Sequence, residues 1–440
     1  MGRGRWCGVR DNQEGSDKSR DFVGPGTARI QRLPRALKSE GARVFELAIV
    51  VFLWQAAVGV YFLSLVQQYL PEQLGTGAAW PGYAMACYGV AKFAWQPIAG
   101  YIADRVGRLT TMVTGMTISV PVLVLMMEVP SERYFLVFSA LLGIGAATMW
   151  PAFMAHVGES TPRSRRTRTM TMLNVAQMGG IALGTLAGVL MVDYVTYGAA
   201  FWSCIAFSSL ALLMVVRSVP SAQATPQIIP AADEEKRGRT REPEAWVPGI
   251  ATLAAVVLLL TVGTSVQTPM IGAYTRDVLE VKMSFMALLL PVPALIAGVG
   301  FWRFMRVSDR FGRQVLLAGG LLVAACSIFA LTLTTSPYIA VNFVVLAGVA
   351  YAISMPAWGA AALDATDAGS RGLWLGALSA VQGLGAAGGQ ALGGVVGGMY
   401  GPLAPFKLAA FMLMMALLVI VAHQYAHARK RTAAVAVRAE

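Results

Sequence analysis

An all-α polytopic membrane protein, with twelve transmembrane helices in two pseudo-symmetric six-helix bundles, is the fold class predicted by three features of this chain. Of its 440 residues, 56% are hydrophobic and only 13% charged. That is too little polar surface to coat the two or three water-soluble domains such a length would otherwise suggest. Twelve predominantly apolar runs follow one another, each near the roughly 20 residues a helix needs to cross a bilayer. A shift of 205 residues lays the second six runs on the first.

Residues 1–42 are polar, basic and rich in glycine, and no apolar run among them could form the core of a cleavable leader. They read as a disordered cytoplasmic tail. Six spans follow at about 44–66, 80–102, 109–128, 134–156, 170–193 and 198–216, making an N-terminal half over 43–217. Their short connections suit antiparallel neighbours. A linker over 218–246 interrupts the pattern with Pro220, Pro226, Pro230, Pro243 and the charged run Asp233-Glu234-Glu235-Lys236-Arg237. Six further spans at about 248–270, 283–302, 314–334, 338–362, 372–397 and 404–424 form a C-terminal half over 247–424, before a basic tail over 425–440.

The net charge of +12 reflects topology rather than a nucleic-acid partner, because 30 of the 35 Lys and Arg residues fall on one side of these spans. That asymmetry places both termini and the linker in the cytoplasm, in a multi-pass protein of the plasma membrane whose partner is the lipid bilayer. Cys7, Cys87, Cys204 and Cys326 are scattered, and His156, His423 and His427 have no ligand spacing. Neither a disulfide framework, a metal site nor a cofactor is implied. Without a paired His/carboxylate cluster, a nucleophile elbow or a phosphate-cradling loop, the sequence does not read as an enzyme.

The clearest motif is Gly100-Tyr101-Ile102-Ala103-Asp104-Arg105-Val106-Gly107-Arg108, after the second span, and it returns as Arg306-Val307-Ser308-Asp309-Arg310-Phe311-Gly312-Arg313 after the eighth. The same shift pairs Pro151 with Pro356, Glu159 with Asp364, Arg166 with Arg371, Asn174 with Ser379, Gln177 with Gln382, Gly184 with Gly389 and Gly188 with Gly393. Gap-free agreement over such a distance marks internal duplication.

Gly-x-x-x-Asp-Arg-x-Gly-Arg in this position, repeated in the second half, resembles the major facilitator superfamily of secondary transporters over about residues 44–424. The second copy carries Met305 where glycine is expected. The resemblance implies the major facilitator fold, two halves rocking about a central site near the bilayer midplane, and a small-molecule substrate moved by alternating access. An aspartate beside arginines at a helix end can form charge-assisted hydrogen bonds that make and break. Asp104, Arg108, Glu159, Arg166, Asp309, Arg313, Asp364 and Arg371 are therefore expected to form a cytoplasmic gate.

Lys92 sits about ten residues from either end of its span, too deep to snorkel easily, so it should face a wet cavity or a partner. Tyr88 and Gln96 lie one turn to either side and complete a polar stripe. Trp54, Gln55 and Tyr61 in the first span, Trp150 in the fourth, Asn174 and Gln177 in the fifth, Gln267 in the seventh, Trp358 in the tenth, and Ser379 and Gln382 in the eleventh are further mid-span candidates. The substrate-binding set expected from these is Gln55, Tyr61, Tyr88, Lys92, Gln96, Trp150, Asn174, Gln177, Gln267, Trp358 and Gln382, the alternative role of such groups being helix-to-helix adhesion.

The runs Gly180-x-x-x-Gly184-x-x-x-Gly188 and Gly385-x-x-x-Gly389-x-x-x-Gly393 permit close helix approach. They also resemble a fifth-span motif of drug–proton antiporters, but Thr185 and Gln390 replace the proline of that motif, and Ser139 stands where the fourth-span arginine belongs. No carboxylate lies at mid-membrane; Glu46 and Asp193 are at span ends. The expected function is a secondary transporter of a small organic solute, leaning toward anionic, zwitterionic or amphipathic cargo, with a proton as the possible coupling ion. A proton-coupled drug exporter and a carrier-like sensor or scaffold that does not transport are the alternatives.

Overall fold

The computed structural model describes residues 45–160, 166–218, 250–291, 313–364 and 371–439, with side chains left out at 104, 150–152, 154–160, 166–168, 170–171, 218, 250, 313–314, 352–353, 355–364, 371–376 and 426–439. Among the described residues every element is helical, and twelve segments follow the twelve apolar runs. They are α1 (Phe45–Glu72), α2 (Trp80–Val106), α3 (Arg108–Glu128), α4 (Glu132–Ser160), α5 (Arg166–Tyr194) and α6 (Tyr197–Ser218). After them come α7 (Ile250–Ser265), α8 (Met283–Leu289), α9 (Arg313–Leu331), α10 (Pro337–Asp364), α11 (Arg371–Tyr400) and α12 (Ala404–Ala439). Two helices overrun the apolar limits furthest. The helix of α1 continues six residues past 66 through a wide π-helical stretch, Tyr61–Tyr69, and α12 runs on to Ala439 beyond the last apolar residues.

By length and composition, six of the described helices can cross a membrane: α1, α3, α5, α6, α7 with its continuation to Val278, and α12. The described helices α2 and α11 face each other. Gly82 and Gly394 approach backbone to backbone, Gly89 meets Ala387, and the Phe93 ring fills the place a Cβ on Gly383 would take. Tyr83 and Tyr101 are exposed on α2. They lie 18 positions apart in the sequence, about 27 Å along a helix, close to the thickness of a bilayer core with interfacial aromatics at both faces. Exposed Tyr134, Tyr194, Tyr338 and Tyr400 continue the belt on the face that carries the connections after α1, α3, α5, α9 and α11, hereafter the distal face.

Two separate apolar cores underlie the two bundles. One joins Val51, Leu65, Met85, Met116, Phe135, Phe153 and Phe201 from α1–α6, and the other joins Val256, Met270, Leu321, Val341, Phe406 and Leu413 from α7–α12. The glycine runs build the first-to-fifth helix contact in each half. A Cβ on Gly180, Gly184 or Gly188 would collide with Phe52, Ala56, or Val60 and Ser64 of α1, and one on Gly385, Gly389 or Gly393 with Thr261, Val262 or Val266 of α7. Close approach, with its dispersion gain, is what these residues provide. An edge-to-face contact between Tyr69 and Phe201, ring centroids 5.0 Å apart, is matched 205 residues on by Tyr274 against Phe406 at 4.8 Å.

Between the cores lies a small cluster of Val189, Met283 and Ala287. The 205-residue shift carries Gly82 to Ala287 and Val189 to Gly394. The α2–α11 contact and the α5–α8 contact are thus one contact made twice, as a two-fold axis requires.

Candidate functional site

The halves are tied together at the distal face. In α1 the π-helical stretch carries Gln67 and Gln68 to its end, both buried, Gln67 against Gly272 of the second half. In α7, Pro269 lies in a single 3-10 turn, Thr268–Met270, that interrupts the helix before the short segments Ile271–Ala273 and Tyr274–Val278. Proline cannot donate a helical hydrogen bond, which suits such a break. There the backbone N–H of Gly272 donates to Gln67 Oε1 at 2.7 Å, a fully buried bond. Gln67 and Gly272 are themselves 205 residues apart. Two sites related by a two-fold axis can touch only where the axis passes between them, so the pseudo-symmetry axis runs through this hydrogen bond.

Around it the two halves pair by charge. Arg276 Nη1 reaches Glu72 Oε1 at 3.1 Å while its Nε holds Asp277 Oδ1 at 2.8 Å, and the Tyr197 hydroxyl donates to Glu72 Oε2. On the α5–α8 side, the Asp193 carboxylate accepts from the backbone N–H of Ser284 at 2.9 Å and from Gln68 Nε2 at 3.2 Å. Lys282 Nζ stands 5.0 Å from the centre of the Tyr194 ring. The distal face is closed in this state, by contacts that can break without opening either core.

The expected substrate residues fall into three groups. Lys92 belongs to the seam: its amine lies 5.7 Å from the centre of the Phe93 ring, and that ring abuts Gly383, the residue after Gln382. Gln55, Gln96, Gln177, Gln267 and Gln382 are partly exposed in the interior-facing helices, and Asn174 is exposed. The Oε1 of Gln267 is buried without a hydrogen-bond partner among the described residues. Tyr88 leaves the expected stripe. Its ring packs against Tyr61 at 5.9 Å and Phe62 at 5.0 Å, and Tyr61 stacks on Phe135, so both tyrosines serve the first core. They border a cavity of ≈ 30 Å³ between α1, α2, α3, α4 and α6, together with Trp54, Ser119, Leu142, Cys204 and Ser208. A space of that size suits a water rather than a solute. The side chains of Trp150 and Trp358 lie outside the described residues.

Of the expected gate, only Arg108 has a described side chain, and it is engaged with a neighbour. The side chains of Asp104, Glu159, Arg166, Arg313, Asp364 and Arg371, and the whole of Asp309, lie outside the described residues. The sequence reading found the motif face and passed over the distal one. Gln67, Gln68, Glu72 and Tyr197 carried no motif, although an acid after the first span and a base after the seventh offered a faint signal of pairing. The 205-residue offset of Gln67 and Gly272 was visible in principle, but only a structure says which repeat-related positions lie on the axis.

The sequence profile of the Major Facilitator Superfamily matches residues 47–344 and again, overlapping, 253–438. A proton-coupled antiporter flippase, LtaA, of Staphylococcus saprophyticus is 24% identical over 364 residues, covering 79% of this chain and 85% of that protein. Its counterpart in Staphylococcus aureus is 20% identical over 352 residues, covering 79% and 86%. Among solved structures, a bacterial homologue of the human lysosomal transporter Spinster, inward-facing and unoccupied, aligns with a TM-score of 0.65 at 14% identity over 87% of this chain and 95% of that one. A single-site mutant of the nucleoside transporter NupG aligns at 0.67 and 13% over 86% and 99%. Two tied six-helix halves, a duplicated charged motif and these matches converge: the chain belongs to the major facilitator superfamily and is a secondary transporter.

Proposed function

We propose that this transporter carries a small amphipathic solute with an anionic or zwitterionic head across the plasma membrane in exchange for protons, with both termini in the cytoplasm. Lys92 is the observation that carries the reading. A basic side chain held deep in α2, against an aromatic ring at the seam with α11, offers one charge-assisted partner to an anionic head and an apolar wall to the remainder. The resemblance to proton-coupled antiporter flippases supports both the amphipathic cargo and the proton. Alternating access follows from the paired seams, the distal one closing while the motif face admits the solute.

The test is flux in proteoliposomes. Fluorescent anionic, zwitterionic and cationic amphiphiles are compared with and without an imposed pH gradient. Anionic or zwitterionic head groups should move fastest and only with the gradient, and Lys92→Ala should cut that flux about tenfold, in keeping with loss of a charged hydrogen bond. Preference for cations would favour a drug exporter, and binding without flux a sensor; either overturns the proposal.

A further inference from the structure

We propose that Arg105, braced on the ring of Tyr101, docks the phosphate of an anionic phospholipid in the leaflet that meets the motif face. The site is separate from the transport path and does not depend on the cargo or its coupling. Val90, Ala94, Ile98, Tyr101 and Arg105 follow one another along α2 at steps of three or four residues, and all five are exposed. That spacing sets them on one face of the helix. The other faces of α2 are covered by protein: Ala84, Met85, Tyr88, Ala99 and Ala103 are buried, and Gly82, Gly89 and Phe93 meet α11. The exposed stripe therefore looks outward at lipid, and it ends on a charge.

Its depth suits a head group. With Tyr83 and Tyr101 at the two interfaces, Arg105 stands one turn further out, about 6 Å along the helix axis and at the level of lipid phosphates. Its guanidinium carbon lies 4.5 Å from the centre of the Tyr101 ring. Such a stack uses the flat face of the guanidinium and leaves its N–H edge to fork onto a phosphate, with the side chain already held in place. Among the described residues the ion pairs are those of Arg276, and no carboxylate is set against Arg105. A base that served topology alone would need no ring beneath it. The two arginines of the motif thus part company: Arg108 opens α3 and is engaged with a neighbour, while Arg105 turns to the membrane. Lys92 lies 13 positions earlier in the sequence, about 20 Å away along α2, so this is not the cargo site.

The measurement is native mass spectrometry of the full chain in detergent, mixed with equal amounts of dioleoylphosphatidylglycerol and dioleoylphosphatidylcholine, read as the ratio of the two lipids retained. Arg105→Gln should lower that ratio about fivefold, what one basic residue gains at an anionic leaflet. Tyr101→Leu keeps the charge and the apolar bulk but removes the stack, and should lower it about threefold. Arg217, also exposed at the end of α6 on the same face, has no ring against it among the described residues; Arg217→Gln should leave the ratio unchanged, and so should Lys92→Ala. Glycerol 3-phosphate in excess should not displace the lipid. An unchanged ratio in Arg105→Gln or in Tyr101→Leu overturns the proposal. So does an equal loss in Arg217→Gln, which would mean diffuse attraction, or a loss in Lys92→Ala, which would put the lipid in the cargo path. Displacement by glycerol 3-phosphate would make this a site for a soluble anion and overturn it as well.

Discussion

A single amide, Gln67, sits where the two halves touch on their symmetry axis, and a rocking motion has the least displacement there. Replacing it by alanine leaves the N–H of Gly272 buried and unpaired, which typically costs about 1–3 kcal/mol. Gln67→Ala should therefore favour distal opening, read as a gain of roughly tenfold in labelling of a cysteine introduced at Leu63 by a membrane-impermeant maleimide. The Glu72–Arg276 pair lies further out, with side chains 38% and 46% exposed, and is worth less, about 0.2–1 kcal/mol. Its contribution should fade in high salt. Exchanging the two residues should recover most of what Arg276→Glu alone loses in distal closure, measured by the same labelling rate.

At the scale of helices, small residues decide which faces meet. Gly184 leaves room for nothing beyond its hydrogen, since a Cβ would sit on the Ala56 carbonyl, whereas Gly388 on α11 faces open space. Gly184→Val should abolish the folded protein in detergent, seen as loss of the monodisperse peak on size-exclusion chromatography. Gly388→Ala should be neutral or raise stability by about 0.5–1 kcal/mol through the lower chain entropy of alanine in a helix, read as an unchanged or higher melting temperature. Spacing alone does not separate these two glycines. Both stand in glycine-rich stretches, and the difference is the neighbour, α1 in one case and, among the described residues, nothing within 4 Å in the other.

For the whole molecule, transport demands that the α2–α11 and α5–α8 seams part at their distal ends. A Cβ on Gly398 would lie 3.4 Å from the Cβ of Ala79, close to the separation a disulfide needs. The double variant Ala79→Cys, Gly398→Cys should therefore cross-link on oxidation and stop flux almost completely, with recovery on adding reductant. Unchanged flux in the oxidised protein would mean that this seam does not open.

Much of this architecture was legible in the chain. Lipid imposes apolar spans, so composition and run length give twelve helices; gene duplication leaves a constant offset, so 205 residues give two halves; and i, i+4 glycines mark faces of close approach. The Asp104–Arg108 motif was equally plain, because charges beside a span stand out. What the chain could not convey was depth and direction. Tyr61 and Tyr88 look like path-lining residues, yet aromatic packing against Phe62 and Phe135 draws them into the first core. Asp193 looks like an idle charge at a span end, yet the tertiary fold sets it against the first turn of α8 from the other half. Sequence by itself determined the class, the span count, the repeat and the family, since each depends on local composition or on a register kept along the chain. The tertiary structure alone decided which polar groups meet across the seam, because that depends on how two separately packed cores are rotated about an axis that passes between Gln67 and Gly272.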